Sequence, residues 1–362
     1  MEDRILFITR IYPNNANPHA GRFIKNFVEE LSKNIHVDVL ILNTNKTPFK
    51  LYNKDHVYQT GIIPNPSGNI FTAPIVSHIN RFCIKYICSK FKNKYTSIYS
   101  HFFTAAQYGD VMSNYLNIPH LIGIGENYNY LLSLNKIYSK SYVENILVNS
   151  KKIFCVSQAN VNYLNDIYNL RRKTFFLPNG INFDVFNPEN KFSDEFLFKL
   201  KSENDFVISF IGHFNERKGV YRLLEAVKNI PNCKLVIIGK GKLINNKNIF
   251  FQGTLEPNLV AKWLNTSDVF VLPTQAEGWC NAINEAIACG LPIISSDISS
   301  VNEQLRDTKF LKVNPNNIKE IREAIYALKN NKKLRQEMGL SSKKRSLKFN
   351  IVNRAKIFLN EI

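Results

Sequence analysis

Two carboxylates, Glu277 and Glu285, bracket the stretch Gly278-Trp279-Cys280-Asn281-Ala282-Ile283-Asn284. Val269-Phe270-Val271-Leu272 precedes it and Ile293-Ile294 follows, and both runs read as buried parallel strands. The segment between them reads as a loop and then a helix. Asn281 is its expected N-cap, with Gly290 at its end and Pro292 beyond. Glu277 then falls on a loop at the carboxyl edge of a sheet, and Glu285 in the first turns of the helix. Open α/β sheets bind ligands at that edge, and a helix N-terminus there attracts anions. Two carboxylates beside such a field suit a ligand both phosphorylated and rich in hydroxyls, a nucleotide sugar.

A second candidate is the loop Gly212-His213-Phe214-Asn215-Glu216-Arg217-Lys218-Gly219, which follows the strand-like Phe206 to Ile211. Arg217 and Lys218 stand where a helix begins, an unfavourable place for cations. A diphosphate partner would account for them; a solvated helix start is the alternative. Gly239-Lys240-Gly241 lacks the third glycine of a dinucleotide fingerprint and reads as a plain turn. Near the start, the loop Tyr12 to Phe23 ends in Gly21, whose N–H could face a phosphate or a hydroxyl. The sequence carries no P-loop, no His-Glu-x-x-His, no Gly-x-Ser-x-Gly and no Asp-x-Asp pair. Cationic side chains and a helix N-terminus are therefore expected to do what a metal ion would do for a diphosphate.

These residues need rigid elements to hold them. The chain alternates strand and helix patterns, which argues for α/β layers. Ile5 to Thr9, Val37 to Leu42, Ser97 to Ser100, Leu121 to Gly125, Lys152 to Val156 and Thr174 to Leu177 read as strands. Ala20 to Asn34 and Ala159 to Ile167 read as helices. A turn-rich break follows at Pro178-Asn179-Gly180, and Pro188 to Asn204 is a polar connection. The rhythm then restarts with strands at Phe206, Leu235 and Asn248 and helices at Lys218 to Asn229 and Leu259 to Asn265. After the Glu277 segment come helices at Ile318 to Lys329, Lys332 to Phe349 and Ile351 to Ile362. At 362 residues the chain suits two doubly wound domains with a cleft between them. The expected division is 1–187, 188–348 and a terminal helix, 349–362, crossing back to the first domain.

Composition narrows the partners. The net charge of +18 favours polyanions, among them nucleic acid, anionic lipid and phosphorylated substrates. A lysine-rich solvated surface is the plain alternative. No secretory leader is expected, because Met1 to Arg4 runs straight into Ile5-Leu6-Phe7-Ile8, too short for a signal core, and no apolar run of about 18 residues could span a bilayer. Six scattered cysteines without a Cys-x-x-Cys fit reduced thiols and a cytoplasmic setting.

Taken together, these motifs resemble the retaining glycosyltransferases of family 4. Glu277, Gly278, Asn281 to Ala286 and Cys289 to Pro292 look like that family's Glu-x7-Glu signature. Phe176 to Ile181, Lys218-Gly219, Asn302-Glu303, Tyr12-Pro13 and Gly21 to Phe23 also match. The resemblance implies a GT-B fold, with a first domain for the acceptor and a second for the donor. It implies that Glu277 contacts donor-sugar hydroxyls and that Glu285 holds the ribose. Gly278, Trp279, Cys280, Asn281, Ala282 and Ile283 would present backbone N–H groups to sugar and diphosphate. Lys218, helped by Arg217, would bind the diphosphate. Gly212, His213 and Gly21 would lie nearby, and Thr254 would border the base. His213 stands where the family usually has arginine, and Ile124 where it often has a first-domain histidine. Glu126 and His101 are neighbours of that position, and the role stays unassigned.

The expected reaction is transfer of a hexose or hexosamine from a nucleoside diphosphate sugar, with retention and without metal or cofactor. The acceptor would be a saccharide, lipid-linked, in cell-surface polysaccharide or lipopolysaccharide synthesis. Ile79 to Tyr95 mixes aromatics with cations, so the inner face of the cytoplasmic membrane is an expected peripheral partner; a half-buried helix with snorkelling lysines is the alternative. Two other functions fit parts of the pattern: a GT-B-type sugar-nucleotide epimerase, and a basic nucleic-acid-binding protein, though no recognised nucleic-acid motif supports the latter.

Overall fold

A computed structural model describes residues 3–14, 17–64, 73–193, 195, 202 and 204–362. The expected connection Pro188 to Asn204 lies partly outside them. The chain forms two compact units: Met1–Pro178 with Val352–Ile362, and Asn179–Ile351. The division thus falls nine residues before the expected one. Asn179 belongs with the second unit because its carbonyl accepts the Asn284 side-chain amide at 3.0 Å. Ile181 N–H donates to Phe349 O at 2.6 Å, and Ile351 N–H to Ile181 O at 3.0 Å, which keeps 349–351 there too.

The first unit holds an eight-stranded sheet: β1 (Arg4–Thr9), β2 (His36–Asn43), β3 (Leu51–Lys54), β4 (Val57–Gly61), β5 (Ser97–His101), β6 (His120–Ile124), β7 (Lys152–Cys155) and β8 (Thr174–Phe176). Their spatial order is β3-β4-β2-β1-β5-β6-β7-β8, and every pair is parallel except β3 with β4. The alternation of side chains along β1 shows why layers form on both faces. Ile5 and Phe7 pack with Ile24, Phe27 and Leu31 of the helix Arg22–Leu31. Leu6 and Ile8 pack with Ile84, Ile87 and Met112, from the helices Ala73–Ile87 and Phe103–Leu116. The helix Ile351–Leu359 closes this unit through Phe358, whose ring lies 5.4 Å from Phe27 and 5.1 Å from Tyr99. Burying a ring of that size stabilises by ~1.5–3 kcal/mol.

The second unit is a six-stranded parallel sheet of β9 (Phe206–Ile211), β10 (Cys233–Ile238), β11 (Ile249–Gly253), β12 (Val269–Leu272), β13 (Ile293–Ser296) and β14 (Leu311–Val313). Its order is β11-β10-β9-β12-β13-β14. The chain runs outward from β9 through β10 to β11, then returns to β9's other side as β12. The loops after β9 and β12 therefore leave the sheet at its topological switch point, where such folds bind ligands.

Candidate active site

The loop after β9 carries Arg217 and Lys218, and the loop after β12 carries Glu277. The two loops are stitched together. Gln275 N–H donates to Arg217 O at 2.8 Å, and Arg217 Nη1 donates to Ala276 O at 2.6 Å. Their approach requires Gly219, whose φ of 82° suits glycine and where a Cβ would sit 2.2 Å from Pro273 O. Lys218 Nζ donates to Glu277 Oε1 at 2.6 Å, Thr274 Oγ1 donates to the same oxygen at 2.7 Å, and Arg217 Nη1 lies 3.6 Å from it. Burial lowers the Lys218 pKa, but Cys280 and Glu277 raise it, and the net direction is up. The ammonium expected to face a diphosphate is thus already partnered by Glu277, and the Glu277 carboxylate expected to face sugar hydroxyls is already shared by two donors.

The helix after this loop runs Asn281–Ala288, so its N-cap is Cys280 and not Asn281. Asn281 is displaced from the cap because its side-chain oxygen accepts the Asn179 amide at 3.1 Å. No side chain caps the helix through a hydrogen bond. Ala282, Ile283, Ala286 and Ile287 are buried, which turns Asn281 and Glu285, four apart, onto one face. Glu285 is half-buried and its carboxylate makes no hydrogen bond or ion pair among the described residues; desolvation pushes its pKa up to about 8.

Two of the residues expected to present N–H groups to the ligand have buried side chains. Trp279 is buried with its ring 5.2 Å from Phe349. Cys280 is buried, and its N–H donates to Gln304 Oε1 at 3.1 Å, so that N–H is already used. Burial and then Glu277 push the Cys280 thiol up to about 11, against Lys218 and the N–H groups of Ile283 and Ala282. It is a neutral thiol near neutral pH, not a nucleophile.

Gln304 escaped the sequence reading, as did Thr274. Gln304 is almost fully buried, and its amide nitrogen donates to Cys280 O and to Asn284 Oδ1, both at 2.8 Å. With Asn179 and Asn284 it locks the start of the motif helix in place. Only the flanking Asn302-Glu303 had drawn notice.

The remaining expected residues are spread along the sheet edge. Gly212 follows β9 directly and is half-buried, its N–H donated to Ile238 O at 2.9 Å. His213 is exposed, as is Thr254, just past β11. Gly278 is half-buried. In the first unit, Gly21 is the left-handed N-cap of its helix, with φ 68°. Glu126 Oε1 accepts the Phe103 N–H at 2.6 Å. Desolvation raises its pKa to about 7, against the pull of several N–H groups. His101 is buried and held neutral, its pKa lowered to about 3 by burial and then by Arg354.

Sequence comparison now places this geometry. Residues 192–345 match glycosyl transferases group 1, and residues 20–185 match glycosyltransferase family 4. An uncharacterised glycosyltransferase of Methanocaldococcus jannaschii is 30% identical over 70% of this chain and 70% of its own length. The chain belongs to the family 4, group 1 glycosyltransferases. The capsular polysaccharide biosynthesis glycosyltransferase CapM of Staphylococcus aureus is 31% identical over 46% of this chain and 48% of that protein. An Escherichia coli UDP-Gal:alpha-D-GlcNAc-diphosphoundecaprenol alpha-1,3-galactosyltransferase is 32% identical over 43% of each. Among solved structures, the sucrose-phosphate synthase of Thermosynechococcus elongatus superposes with a TM-score of 0.75 at 17% identity, covering 99% of this chain and 98% of that one. Anabaena HepE in complex with UDP and glucose gives 0.71 at 15%, with the same coverage. The fold of this glycosyltransferase is GT-B. No helix among its described residues is long and apolar enough to cross a membrane.

Proposed function

We propose that this glycosyltransferase moves a hexose or hexosamine from a nucleoside diphosphate sugar to a lipid-linked saccharide acceptor, with retention of anomeric configuration, in the synthesis of a cell-surface polysaccharide or lipopolysaccharide. The observation that carries the donor assignment is Glu285, a desolvated carboxylate without a protein partner, on the helix that leaves the sheet's switch point. Ribose hydroxyls would give it the hydrogen bonds it lacks. The uncapped start of the motif helix would face the diphosphate. Lys218, shared with Glu277, and the exposed Arg217 would add positive charge as the nucleotide leaves. Glu277, oriented by Lys218 and Thr274, keeps acceptor capacity for a sugar hydroxyl.

Cys280 is a neutral thiol and Glu277 has one oxygen shared by two donors, which disfavours a covalent glycosyl intermediate on either. Attack on the face from which the phosphate departs accounts for retention. The cations of the β9 loop would stabilise the leaving group, so the reaction runs without a metal ion. HepE's complex with UDP and glucose and the E. coli relative's diphosphoundecaprenol substrate support the donor and acceptor classes. A cytoplasmic site at the inner face of the membrane would give access to both.

The test offers the purified protein a panel of nucleoside diphosphate sugars and follows thermal shift, nucleotide release and the anomeric coupling of any product. A donor that raises the melting temperature and yields an α-product from an α-donor supports the reading. An inverted product, or a trapped glycosyl-enzyme, overturns the mechanism; interconversion of the donor sugar without an acceptor would make the protein an epimerase.

A further inference from the structure

The first unit brings two histidines and one carboxylate together. His36 and Asp38 are two apart on β2 and share a face. His56 lies in the tight turn between β3 and β4, fixed by the Val39 N–H, which donates to its carbonyl at 2.8 Å. Asp38 Oδ1 is 3.2 Å from His36 Nε2 and 3.0 Å from His56 Nδ1, and the three atoms all lie within 4.8 Å of one another.

The carboxylate is held for this purpose from behind. Asp38 is buried, and its other oxygen, Oδ2, accepts the buried Tyr95 hydroxyl at 2.6 Å. Oδ1 is left facing the two imidazoles. Their rings stand 5.2 Å apart and nearly perpendicular, at 80°, so both can aim a nitrogen at one point. An ion with ligands at ~2.0–2.1 Å in tetrahedral geometry needs ligand atoms roughly 3.3 Å apart. The two contacts to Asp38 already sit near that spacing. A small rotation of His56, whose side chain is 71% exposed, closes the third.

We infer that His36 Nε2, Asp38 Oδ1 and His56 Nδ1 form a binding site for a divalent first-row transition ion, with zinc the best match to two imidazoles and one carboxylate. Tyr95 orients the carboxylate ligand from the second layer. Water fills the remaining position at the exposed side. The site lies at the amino-terminal edge of the parallel strands, whereas the loops carrying Gly21 and Glu126 leave the opposite edge. Its role is therefore structural: the ion fastens the β3–β4 hairpin, an edge element of the sheet, to β2.

The experiment treats the full-length protein with chelator and titrates it with zinc by calorimetry near neutral pH, in parallel with thermal unfolding. One zinc per chain is expected, with a melting temperature raised by several degrees at saturation. His56→Ala and His36→Ala should each weaken binding at least tenfold while unfolding like the wild type in chelator. Zinc should leave sugar transfer by the wild type unchanged, which separates this site from the proposed reaction. Absence of saturable binding, or binding undiminished in the double variant H36A/H56A, overturns the assignment; the latter would place the ion elsewhere on the protein.

Discussion

Lys218 Nζ rests 2.6 Å from Glu277 Oε1, with both side chains largely buried. The cation comes from the loop after β9 and the anion from the loop after β12, so the pair bolts together the two loops at the sheet's switch point. A buried pair of this kind gains its attraction only at the cost of desolvating two charges, and breaking it from one side is worse than removing it whole.

Lys218→Met should therefore destabilise the protein by up to ~3–5 kcal/mol, because Glu277 stays buried with only the exposed Arg217, 3.6 Å away, left to balance its charge. Lys218→Met combined with Glu277→Gln should recover much of that loss without restoring transfer. Urea unfolding of the single and double variants, beside turnover with the best donor, separates the two effects. If the double variant is as active as the wild type, the pair has only a structural role.

Glu285 makes stability depend on pH in a defined direction. Its folded pKa is raised, from the ordinary 4.5 to about 8, so the fold favours the neutral acid. That contribution is complete below about pH 4.5 and is lost as pH rises through about 8. Glu285→Gln should remove this slope and stabilise the free protein in mildly alkaline solution by on the order of 2–4 kcal/mol, the residue being only half-buried. The same variant should bind donor more weakly. A donor whose hydroxyls bond to the ionised carboxylate should also release a proton on binding, measurable by calorimetry in buffers of different ionisation enthalpy.

The strand pattern and the spacing of Glu277 and Glu285 were enough to place both on the right loop and helix, because buried parallel strands are continuous apolar runs bounded by Gly and Pro. The N-cap was less legible. Asn281 has the right chemistry for a cap, but Asn179, about a hundred residues away, takes its side-chain oxygen. Gln304 was invisible for the same reason: a glutamine acquires meaning only from the Cys280 peptide it embraces in three dimensions. The β3–β4 hairpin was missed because Leu51-Tyr52-Asn53-Lys54 lies at the sheet edge and carries no apolar alternation. Within Ile79 to Tyr95, Cys83, Ile84, Ile87 and Phe91 are core, while Ile79, Phe82 and Tyr86 are exposed, a division the mixed pattern of aromatics and cations did not resolve.

Gln304→Leu keeps the bulk of that side chain and removes its amide. The Cys280 N–H would lose its partner in a buried setting, at ~1–3 kcal/mol, while Cys280 O keeps the Asn284 N–H at 3.2 Å. The start of the motif helix would loosen, so KM for the donor should rise more than kcat falls. An unchanged KM with a lowered melting temperature would confine Gln304 to the fold.

The exposed side of the helix Ala73–Ile87 makes the membrane part of the proposal testable. Ile75, Ile79, Phe82 and Tyr86 form one exposed stripe at helical spacing, and Phe49 extends it, with ring centroids 6.2 Å from Phe82 and 5.5 Å from Tyr86. Exposed His78 and Lys85 line the adjoining groove with Arg81, and Lys90, Lys92 and Lys94 follow on the surface. Aromatics interleaved with cations suit an anionic headgroup layer, where each basic residue near the surface contributes about 1 kcal/mol. The protein should float with vesicles containing anionic lipid, less so at high salt, and should leave vesicles of zwitterionic lipid alone. Phe82→Ser with Tyr86→Ser should abolish flotation while leaving transfer to a soluble acceptor unchanged, since these side chains lie outside the core. Flotation that survives both substitutions would move the contact to another surface, and none at low salt would remove the membrane from the proposal.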